Sequence, residues 1–534
     1  MKFNRVAALS AAVLAATSLG LTACSSDDGA DADLVTVNGG EPQNPLVPSN
    51  TNEFFGGRVV DRLFAGLKYY DPSGKAHNEV ADKIETTDRK NYKITLKDWK
   101  FSDGTTVKAK NFVDAWNYGA LGTNGQLQSY VYTPIAGFDE VSAEKPKAQT
   151  MSGLKVIDDR TFTVELKQPS IDFETALGYA PFYPLPDAAF KDIKAFGENP
   201  IGNGPYKFAR NGAWEHNVKI DLLPNPDYKG GRAPKNKGLR FTMYQSFDTA
   251  YADLQAGNLD ALDTIPDSAL TSYKKDLGDR AITKPTAQNQ HIGIQSNVPH
   301  FAGEEGVLRR KAISMAINRE QICDNIFHGV RIPARDFTAS TLPGFDGNLP
   351  GSEFLKYNPA EAKKLWAQAD AISPWSGRYE IAYNSDGGHQ AWIEAVANSV
   401  KNTLGIDAIG RPYPTFKNIR DEVNAKTIGK AFRYGWQGDY PTMLQFLTSQ
   451  YYSYSETNNV DWKVPEFDDL LNKAQAAATD AESYKIIAQA QTMMLNQMAD
   501  IPVLDYVAAA GRSDKVKKAD LAWNGLFDFE GIEK

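Results

Sequence analysis

Hydrophobic and polar positions along this chain alternate at strand spacing in some segments and recur at helical spacing in others. Short apolar or alternating runs between turn-forming residues predict strands. The predicted strands are Leu34–Val37, Tyr92–Leu96, Thr161–Leu166, Tyr206–Phe208 and Lys219–Leu222. Because strands and helices interleave without a repeat or a long linker, we expect a mixed α/β protein whose lobes are built from returning chain segments.

Apolar residues at helical spacing predict helices in both halves of the chain. The predicted helices are Val107–Tyr118, Leu308–Phe327, one that begins at Pro359 and runs through Leu365, Asp468–Ala478 and Ala481–Met498. Cys323 lies on the apolar stripe of the second of these helices, and Gly329 follows the end of that helix. We therefore expect Cys323 to pack in the core rather than to react.

The N-terminus has the pattern of an export signal. Lys2 and Arg5 precede an apolar run that is too short to span a bilayer, so residues 1–23 are predicted to be a signal peptide. The tetrapeptide Leu21–Cys24 resembles the lipobox of bacterial lipoproteins, which implies that Cys24 is acylated. The alternative is a plain signal peptide cut after Ala23. Residues 24–33 are polar and predict a flexible tether that holds the protein at the extracytoplasmic face of the cell membrane.

Composition narrows the classes of function. The 534 residues are 42% hydrophobic, enough for a folded core, and exceed the size of a single lobe. The net charge of −8 does not favour binding to a phosphate backbone, so no nucleic-acid partner is expected. Two cysteines, Cys24 and Cys323, provide no disulfide framework and no thiolate metal cluster.

The common motifs of catalysis are missing from the sequence. It contains no zinc-protease, phosphate-loop or serine-hydrolase motif, and its six histidines lack the spacing of metal ligands. We therefore expect no enzyme activity, no metal and no cofactor. A glycosidase or peptidase remains the open alternative, because sequence alone does not pair carboxylates as acid and base.

The segment 431–441 contains the most informative chemical pattern. Its glycines and Pro441 favour extended backbone, in which Arg433, Gly435, Gln437 and Asp439 lie on one side. The cation and the anion are then roughly 20 Å apart. A short extended peptide would fit this spacing, with its ammonium at Asp439 and its carboxylate at Arg433. The alternative is that both charges lie on a solvated face.

Five stretches in register give the chain a family resemblance. They are Trp99–Trp116, Gly202–Phe208, Asn225–Tyr228, Leu254–Asp260 and Arg309–Arg319. In these stretches the chain resembles the extracytoplasmic solute-binding proteins of ABC importers, in the dipeptide/oligopeptide-binding class known as family 5. Asn318 stands where the family usually has aspartate.

The resemblance implies an α/β, two-lobed periplasmic-binding-protein-like fold of class II type, with an extra small domain and lobes joined by hinge strands. Lobe I would comprise residues 34–64, 187–287 and 506–534. The small domain II would comprise residues 65–186, and lobe III residues 288–505.

The resemblance also implies roles for individual residues. Asp439 would hold the α-ammonium of a peptide and Arg433 the carboxylate of a short one. Trp436 would line a side-chain pocket, and the backbone at Gly435 and Gln437 would form strand-like hydrogen bonds. Asn52 and Tyr132 fall near stretches that contribute to the pocket in relatives.

The implied partners are short peptides together with the permease and ATPase subunits of an importer, and the protein is expected to be a monomer. Nickel, haem, siderophores and oligosaccharides are the other cargoes of the family. The residues matched to peptide binding favour peptide over these alternatives.

Overall fold

The computed structural model describes residues 34–385, 388–455 and 457–534. The predicted signal peptide and tether, including Cys24, lie outside these residues. The strands are β1 (Val35–Gly39), β2 (Lys68–Tyr70), β3 (Ala76–Asn78), β4 (Ala81–Glu85), β5 (Asn91–Leu96), β6 (Leu154–Asp158), β7 (Thr161–Glu165), β8 (Tyr206–Phe208), β9 (Trp214–Glu215), β10 (Lys219–Pro224), β11 (Leu239–Met243), β12 (Ala261–Leu262), β13 (Ala281–Gly293), β14 (Arg331–Pro333), β15 (Tyr379–Asn384), β16 (Ala408–Tyr413), β17 (Ala431–Gln437) and β18 (Ile501–Arg512).

The α-helices are distributed between these strands. They are α1 (Phe54–Leu63), α2 (Ala109–Ala120), α3 (Phe138–Ser142), α4 (Phe173–Ala176), α5 (Ile193–Glu198), α6 (Phe247–Ala256), α7 (Tyr273–Leu277), α8 (Gly303–Ala316), α9 (Arg319–Phe327), α10 (Pro359–Ile372), α11 (Gln390–Leu404), α12 (Phe416–Asn424), α13 (Met443–Tyr451), α14 (Pro465–Ala476) and α15 (Asp480–Gln497). In the described ranges no helix combines the length and the apolar character that crossing a membrane requires.

One large mixed sheet runs through the molecule. Its strand order is β16-β15-β17-β13-β18-β12-β1-β11-β10-β8, with β14 paired to β18 and β9 to β10. The two long central strands, β13 and β18, are antiparallel neighbours, and their register shifts between Pro285 and Asn289. The predicted lobe boundaries at 287/288 and 505/506 fall inside these two strands. The division of the chain into lobes stays a prediction.

A second, smaller sheet has the antiparallel order β4-β5-β7-β6, and β2 pairs with β3. Alternate residues of β5, such as Tyr92, Ile94 and Leu96, are buried, as the strand pattern predicts. This sheet shares one hydrophobic core with the β1 half of the large sheet. A second core lies within residues 287–504 and also includes Trp523. Within the described residues these are the two largest apolar cores, and a smaller third core is formed around α6 and α7 and includes Ala509 of β18.

The predicted helix Leu308–Phe327 is wrong as a single element. The chain forms α8 and α9 and turns between them at Ile317 and Asn318. The side chain of Asn318 accepts a hydrogen bond from the backbone of Gln321 and caps α9. The buried guanidinium of Arg319 then bonds to the carbonyl oxygens of residues 314, 355 and 502. The bonds to residues 355 and 502 stabilise the turn between α8 and α9. The apolar spacing of the sequence does not indicate this turn.

Cys323 packs in the second core and is 2% exposed. Burial raises the pKa of its thiol to about 12, so the thiol stays protonated at neutral pH. The prediction of a core cysteine is confirmed.

Candidate functional site

Strand β17 leaves part of one edge unpaired. It pairs with β13 along its length from Phe432 to Gln437, whereas it pairs with β15 only at Ala431 and Phe432. Among the described residues, no strand pairs with the β15-facing edge from 433 to 437. A segment of open sheet edge therefore lies at the predicted peptide-binding position.

The hydrogen-bonding pattern shows which backbone groups lie on that edge. Gly438 donates its N–H to the carbonyl oxygen of Ala287 at 3.0 Å, so Gly438 faces β13. Because backbone groups alternate direction along a strand, those of Trp436 also face β13, and those of Arg433, Gly435 and Gln437 face the open edge. The two residues predicted to offer backbone hydrogen bonds are thus directed outward from the sheet.

Asp439 lies in the loop that follows β17, at the boundary between the first and the second core, which we call the cleft. Its carboxylate accepts hydrogen bonds from both sides of this boundary. Tyr130 and Tyr179 each donate a hydroxyl at 3.2 Å, to Oδ2 and Oδ1 respectively. Gln445, on α13, donates its Nε2 to Oδ2 at 2.9 Å. Within the described residues Asp439 forms no ion pair with Lys, Arg or His. Its charge is therefore met only by neutral donors.

Burial raises the pKa of Asp439 to about 6, although the three hydrogen bonds act to lower it. Burial, with the charge of Asp439 as a further cause, also raises the pKa of Tyr179 well above its usual range, so its hydroxyl keeps the proton that it donates. An added cation next to Asp439 would favour the ionised carboxylate. The site is electrostatically suited to an ammonium group.

Gln445 links Asp439 to Trp436. The Oε1 atom of Gln445 accepts a hydrogen bond from the Trp436 indole at 3.3 Å, while its Nε2 donates to Asp439. This pair of contacts fixes the orientation of the amide. Trp436 is half-buried at the edge of the second core and lies next to the Asp439 site through Gln445; its role in lining a side-chain pocket stays a prediction.

The side chain of Arg433 is buried and is held in position by three neighbouring side chains. Its Nε donates to Oδ1 of Asn384 at 2.9 Å and its Nη1 to Oε1 of Gln290 at 3.2 Å. The ring of Phe416 covers the guanidinium, 4.9 Å from its central carbon. Arg433 is only 6% exposed, so it does not lie on a solvated face.

The structure places Tyr132 away from the site. It is fully buried beside Phe182, and its hydroxyl donates to the carbonyl oxygen of Pro181 at 2.5 Å. Its neighbour Tyr130, with a half-exposed ring, is the residue that reaches Asp439. Asn52 is exposed on the loop before α1, and it is not among the described residues that hydrogen-bond to Asp439.

Tyr130, Tyr179 and Gln445 are the site residues that the sequence did not identify. Both tyrosines belong to aromatic clusters in the sequence, which is a weak signal because a core of this size contains many aromatic residues. In the described ranges no group of three or more His, Cys, Asp or Glu side chains is arranged to hold a metal ion.

The fold is that of the two-lobed periplasmic binding proteins. Residues 75–458 match the sequence model described as "Bacterial extracellular solute-binding proteins, family 5 Middle", and the chain belongs to this family. It is similar to the oligopeptide-binding protein OppA of Bacillus subtilis, with 25% identity over 488 residues, 88% of this chain and 87% of that protein.

Two further comparisons cover nearly the whole chain. The periplasmic oligopeptide-binding protein OppA of Salmonella typhimurium is 29% identical over 490 residues, 89% of this chain and 87% of that protein. The structure of Haemophilus influenzae OppA in complex with RPPGFSPFR superposes with a TM-score of 0.74 and 23% identity, over 94% of this chain and 98% of that one.

These findings confirm the predicted family and the two-lobed α/β class. Members of the family are binding proteins of ABC importers that act outside the cytoplasm, and this chain shares that general role.

Proposed function

We propose that this protein captures short peptides with a free α-amino group and delivers them to an ABC importer. The observation that carries the proposal is the half-buried carboxylate of Asp439, which has three neutral donors and no ion pair within the described residues. A peptide ammonium would supply the missing positive charge and could donate to the same oxygens. Asp439 would then be the anchor for the peptide N-terminus.

The open edge of β17 supports an extended ligand. The outward backbone groups of Gly435 and Gln437 could pair with peptide backbone as an added strand does. In such pairing the hydrogen bonds are made to the backbone of the peptide, so peptides with many different side chains can bind. A Cβ on Gly435 would lie 2.5 Å from the backbone oxygen of Asn289, so glycine allows the close approach of the two strands here.

Arg433 lies at the other end of the same edge. Its contacts with Asn384, Gln290 and Phe416 hold the guanidinium in one position. We propose that its charge attracts the C-terminal carboxylate of a short peptide. A peptide bound in this way would run antiparallel to β17, with its N-terminus at Asp439. Two similar proteins are named as oligopeptide-binding, which agrees with this class of ligand.

The N-terminus anchor is tested by calorimetric titration of trialanine and of N-acetyl-trialanine. We expect acetylation to weaken binding at least tenfold, because it removes the ammonium. Asp439→Asn should weaken the binding of trialanine by a similar factor, and the matched control Asp469→Asn, at an exposed position, should not. Equal affinities for the free and acetylated peptides would overturn the proposal.

The carboxylate end is tested separately with trialanine amide. We expect amidation to weaken binding, and Arg433→Gln to remove most of the difference between the free and amidated peptides. If amidation has no effect, Arg433 does not receive the carboxylate, and the Asp439 anchor can still stand.

The cargo class is tested by native mass spectrometry of the protein as purified. We expect short peptides, released intact on denaturation and recovered uncut after incubation, because a receptor does not hydrolyse its ligand. A bound nickel ion, haem, siderophore or oligosaccharide would identify another cargo instead.

We further propose that the mature protein is a monomer tethered to the cell membrane by a lipid on Cys24. The lipobox pattern of residues 21–24 supports this anchor. Cys24→Ser should move the protein from the membrane fraction to the soluble fraction, and continued membrane association would contradict the proposal.

A further inference from the structure

Trp523 lies at the tip of a tight turn near the C-terminus. Leu521 and Phe527 form an antiparallel bridge, and the N–H of Ala522 donates to the carbonyl oxygen of Leu526 at 2.7 Å. The turn presents the Trp523 side chain, which is 9% exposed and packs in the second core. A segment that follows β18 thus inserts a large aromatic ring into the body that carries Asp439.

The ring of Trp523 lies against Gly438, the residue that precedes Asp439, and its backbone is joined to Gly438 through Ala287. The carbonyl oxygen of Trp523 accepts from the N–H of Ala287 at 3.0 Å, and the carbonyl oxygen of Ala287 accepts from Gly438 at 3.0 Å. A Cβ on Gly438 would lie 3.3 Å from Cζ3 of the indole and 2.9 Å from Cε2 of Phe446. Glycine therefore lets the six-membered ring of the indole pack directly against the loop.

The opposite side of the indole contacts the hairpin β2–β3. The rings of Tyr70 and Trp523 meet edge to face, with centroids 5.8 Å apart. Gly74 has a φ of +90°, and a Cβ there would lie 3.2 Å from Cγ of Trp523 and 3.2 Å from Cβ of Pro441. The indole is enclosed between this hairpin and the loop 438–441.

We propose that Trp523 is a positioning residue that sets Asp439 against Tyr130 and Tyr179 and so gives the site its selectivity for a free amino group. The β2–β3 hairpin also contacts the segment that carries Tyr179, because the Tyr70 hydroxyl donates to the carbonyl oxygen of Thr175 at 2.8 Å and a Cβ on Gly178 would lie 2.8 Å from Cζ of Tyr70. Together with the contact between Gly74 and Pro441, the Trp523 ring thus helps to set the distance between this segment and the loop that carries Asp439. This inference rests on the proposed function of Asp439.

Trp523→Phe tests the inference most directly. Phenylalanine keeps Cβ and Cγ next to Gly74, but its ring is smaller than the indole and has no atom equivalent to Cζ3, which packs against Gly438. The quantity to measure is the selectivity ratio, which is the Kd of N-acetyl-trialanine divided by the Kd of trialanine. We expect this ratio to fall at least threefold in Trp523→Phe and at least fivefold in Trp523→Ala, mainly through weaker binding of the free peptide.

Trp214→Ala is the matched control, because Trp214 is a buried tryptophan on β9 in the other core. It should leave the selectivity ratio within twofold of the wild type. Circular dichroism establishes that each variant is folded, and Trp523→Phe decides the matter if Trp523→Ala does not fold. A folded Trp523→Phe with the wild-type ratio, or with both Kd values raised equally, overturns the positioning role. A wild-type ratio near one overturns the proposed function of Asp439 instead.

Discussion

Oγ1 of Thr442 donates a 2.8 Å hydrogen bond to Oδ2 of Asp172, a residue 270 positions earlier in the chain and on the opposite side of the cleft. Oγ1 of Thr442 also accepts a hydrogen bond from the backbone N–H of Gln445 at 3.3 Å, and Thr442 thereby caps the N-terminus of α13. Gln445 in turn donates to Asp439. A contact that forms across the cleft is thus joined, through one helix N-terminus, to the proposed peptide anchor.

Asp172→Asn should change how stability depends on pH. Burial, with the charge of Asp480 acting in the same direction, raises the pKa of Asp172 to about 7, against the hydrogen bond from Thr442. A raised pKa means that the folded state binds this proton more tightly than the unfolded state. Protonated Asp172 therefore contributes its full share to the free energy of unfolding below about pH 4, and this contribution is lost as the pH rises to about 7.

Thermal unfolding between pH 4 and pH 8 measures this effect. The loss attributable to Asp172 is at most about 4 kcal/mol in the free energy of unfolding. Asp172→Asn should be more stable than the wild type at pH 8 and should show a flatter profile. The control Asp187→Asn, at an exposed position, should keep the wild-type profile. A wild-type profile in Asp172→Asn would contradict the prediction.

Peptide binding should weaken in acid because the ammonium requires the ionised form of Asp439. The pKa of Asp439 is about 6 without ligand. We expect the highest affinity near pH 7 and a loss of about tenfold per pH unit below pH 6, until the pKa of the complex is reached. A smaller loss should appear near pH 8, where the peptide amine, with a pKa of about 7.7–8.0, gives up its own proton. Titration calorimetry of trialanine from pH 4.5 to pH 8 measures this, and Asp439→Asn should remove the loss on the acid side. Unchanged affinity between pH 7.5 and pH 5 would count against ion pairing at Asp439.

Tyr130→Phe and Tyr179→Phe should each weaken peptide binding about fivefold. Each removes one donor to Asp439, and a hydrogen bond of this kind contributes about 1 kcal/mol. Because both hydrogen bonds lower the pKa of Asp439, each variant should also move the acid limb of the binding profile to higher pH. Variants that retain both the affinity and the pH profile would show that the tyrosines only pack at the site.

Tyr132→Phe should show that Tyr132, unlike its neighbour Tyr130, contributes to stability and not to peptide binding. Loss of its hydroxyl leaves the carbonyl oxygen of Pro181 without this buried hydrogen bond. We expect a loss of about 1 kcal/mol in the free energy of unfolding and no change in peptide affinity. Urea denaturation and calorimetry measure the two effects, and a large loss of affinity would return Tyr132 to the list of site residues.

Local patterns in the sequence predicted much of the fold. Alternation at Tyr92–Leu96 and the apolar spacing of Val107–Tyr118 correspond to β5 and α2 within a few residues. The break between α8 and α9 was missed because its cause is long-range: Arg319 bonds to residues that are distant in sequence.

The residues of the candidate site that are close in sequence could be predicted, whereas those that come from distant segments could not. Asp439 and Trp436 occur in one short motif, and the structure keeps them together through Gln445. Tyr130 and Tyr132 are equally aromatic and only two positions apart, yet one faces the cleft and the other the core. The backbone there forms a short 3-10 helix, and no periodicity in the sequence distinguishes its two faces. Partners across the cleft, such as Asp172, depend on tertiary contact alone.

The position of β12 has a consequence for synthesis. This short strand pairs with β1 at Val37 and with β18 at Arg512 and Gly511. The chain emerges from its N-terminus onward, so one side of β12 has no partner until residues 511 and 512 have emerged. An unpaired edge in a partly folded chain can bind to other chains. Among the described residues β18 is the last long strand, and it joins β12 to β13 within the large sheet. A chain truncated before residue 501 would leave this edge of β12 exposed.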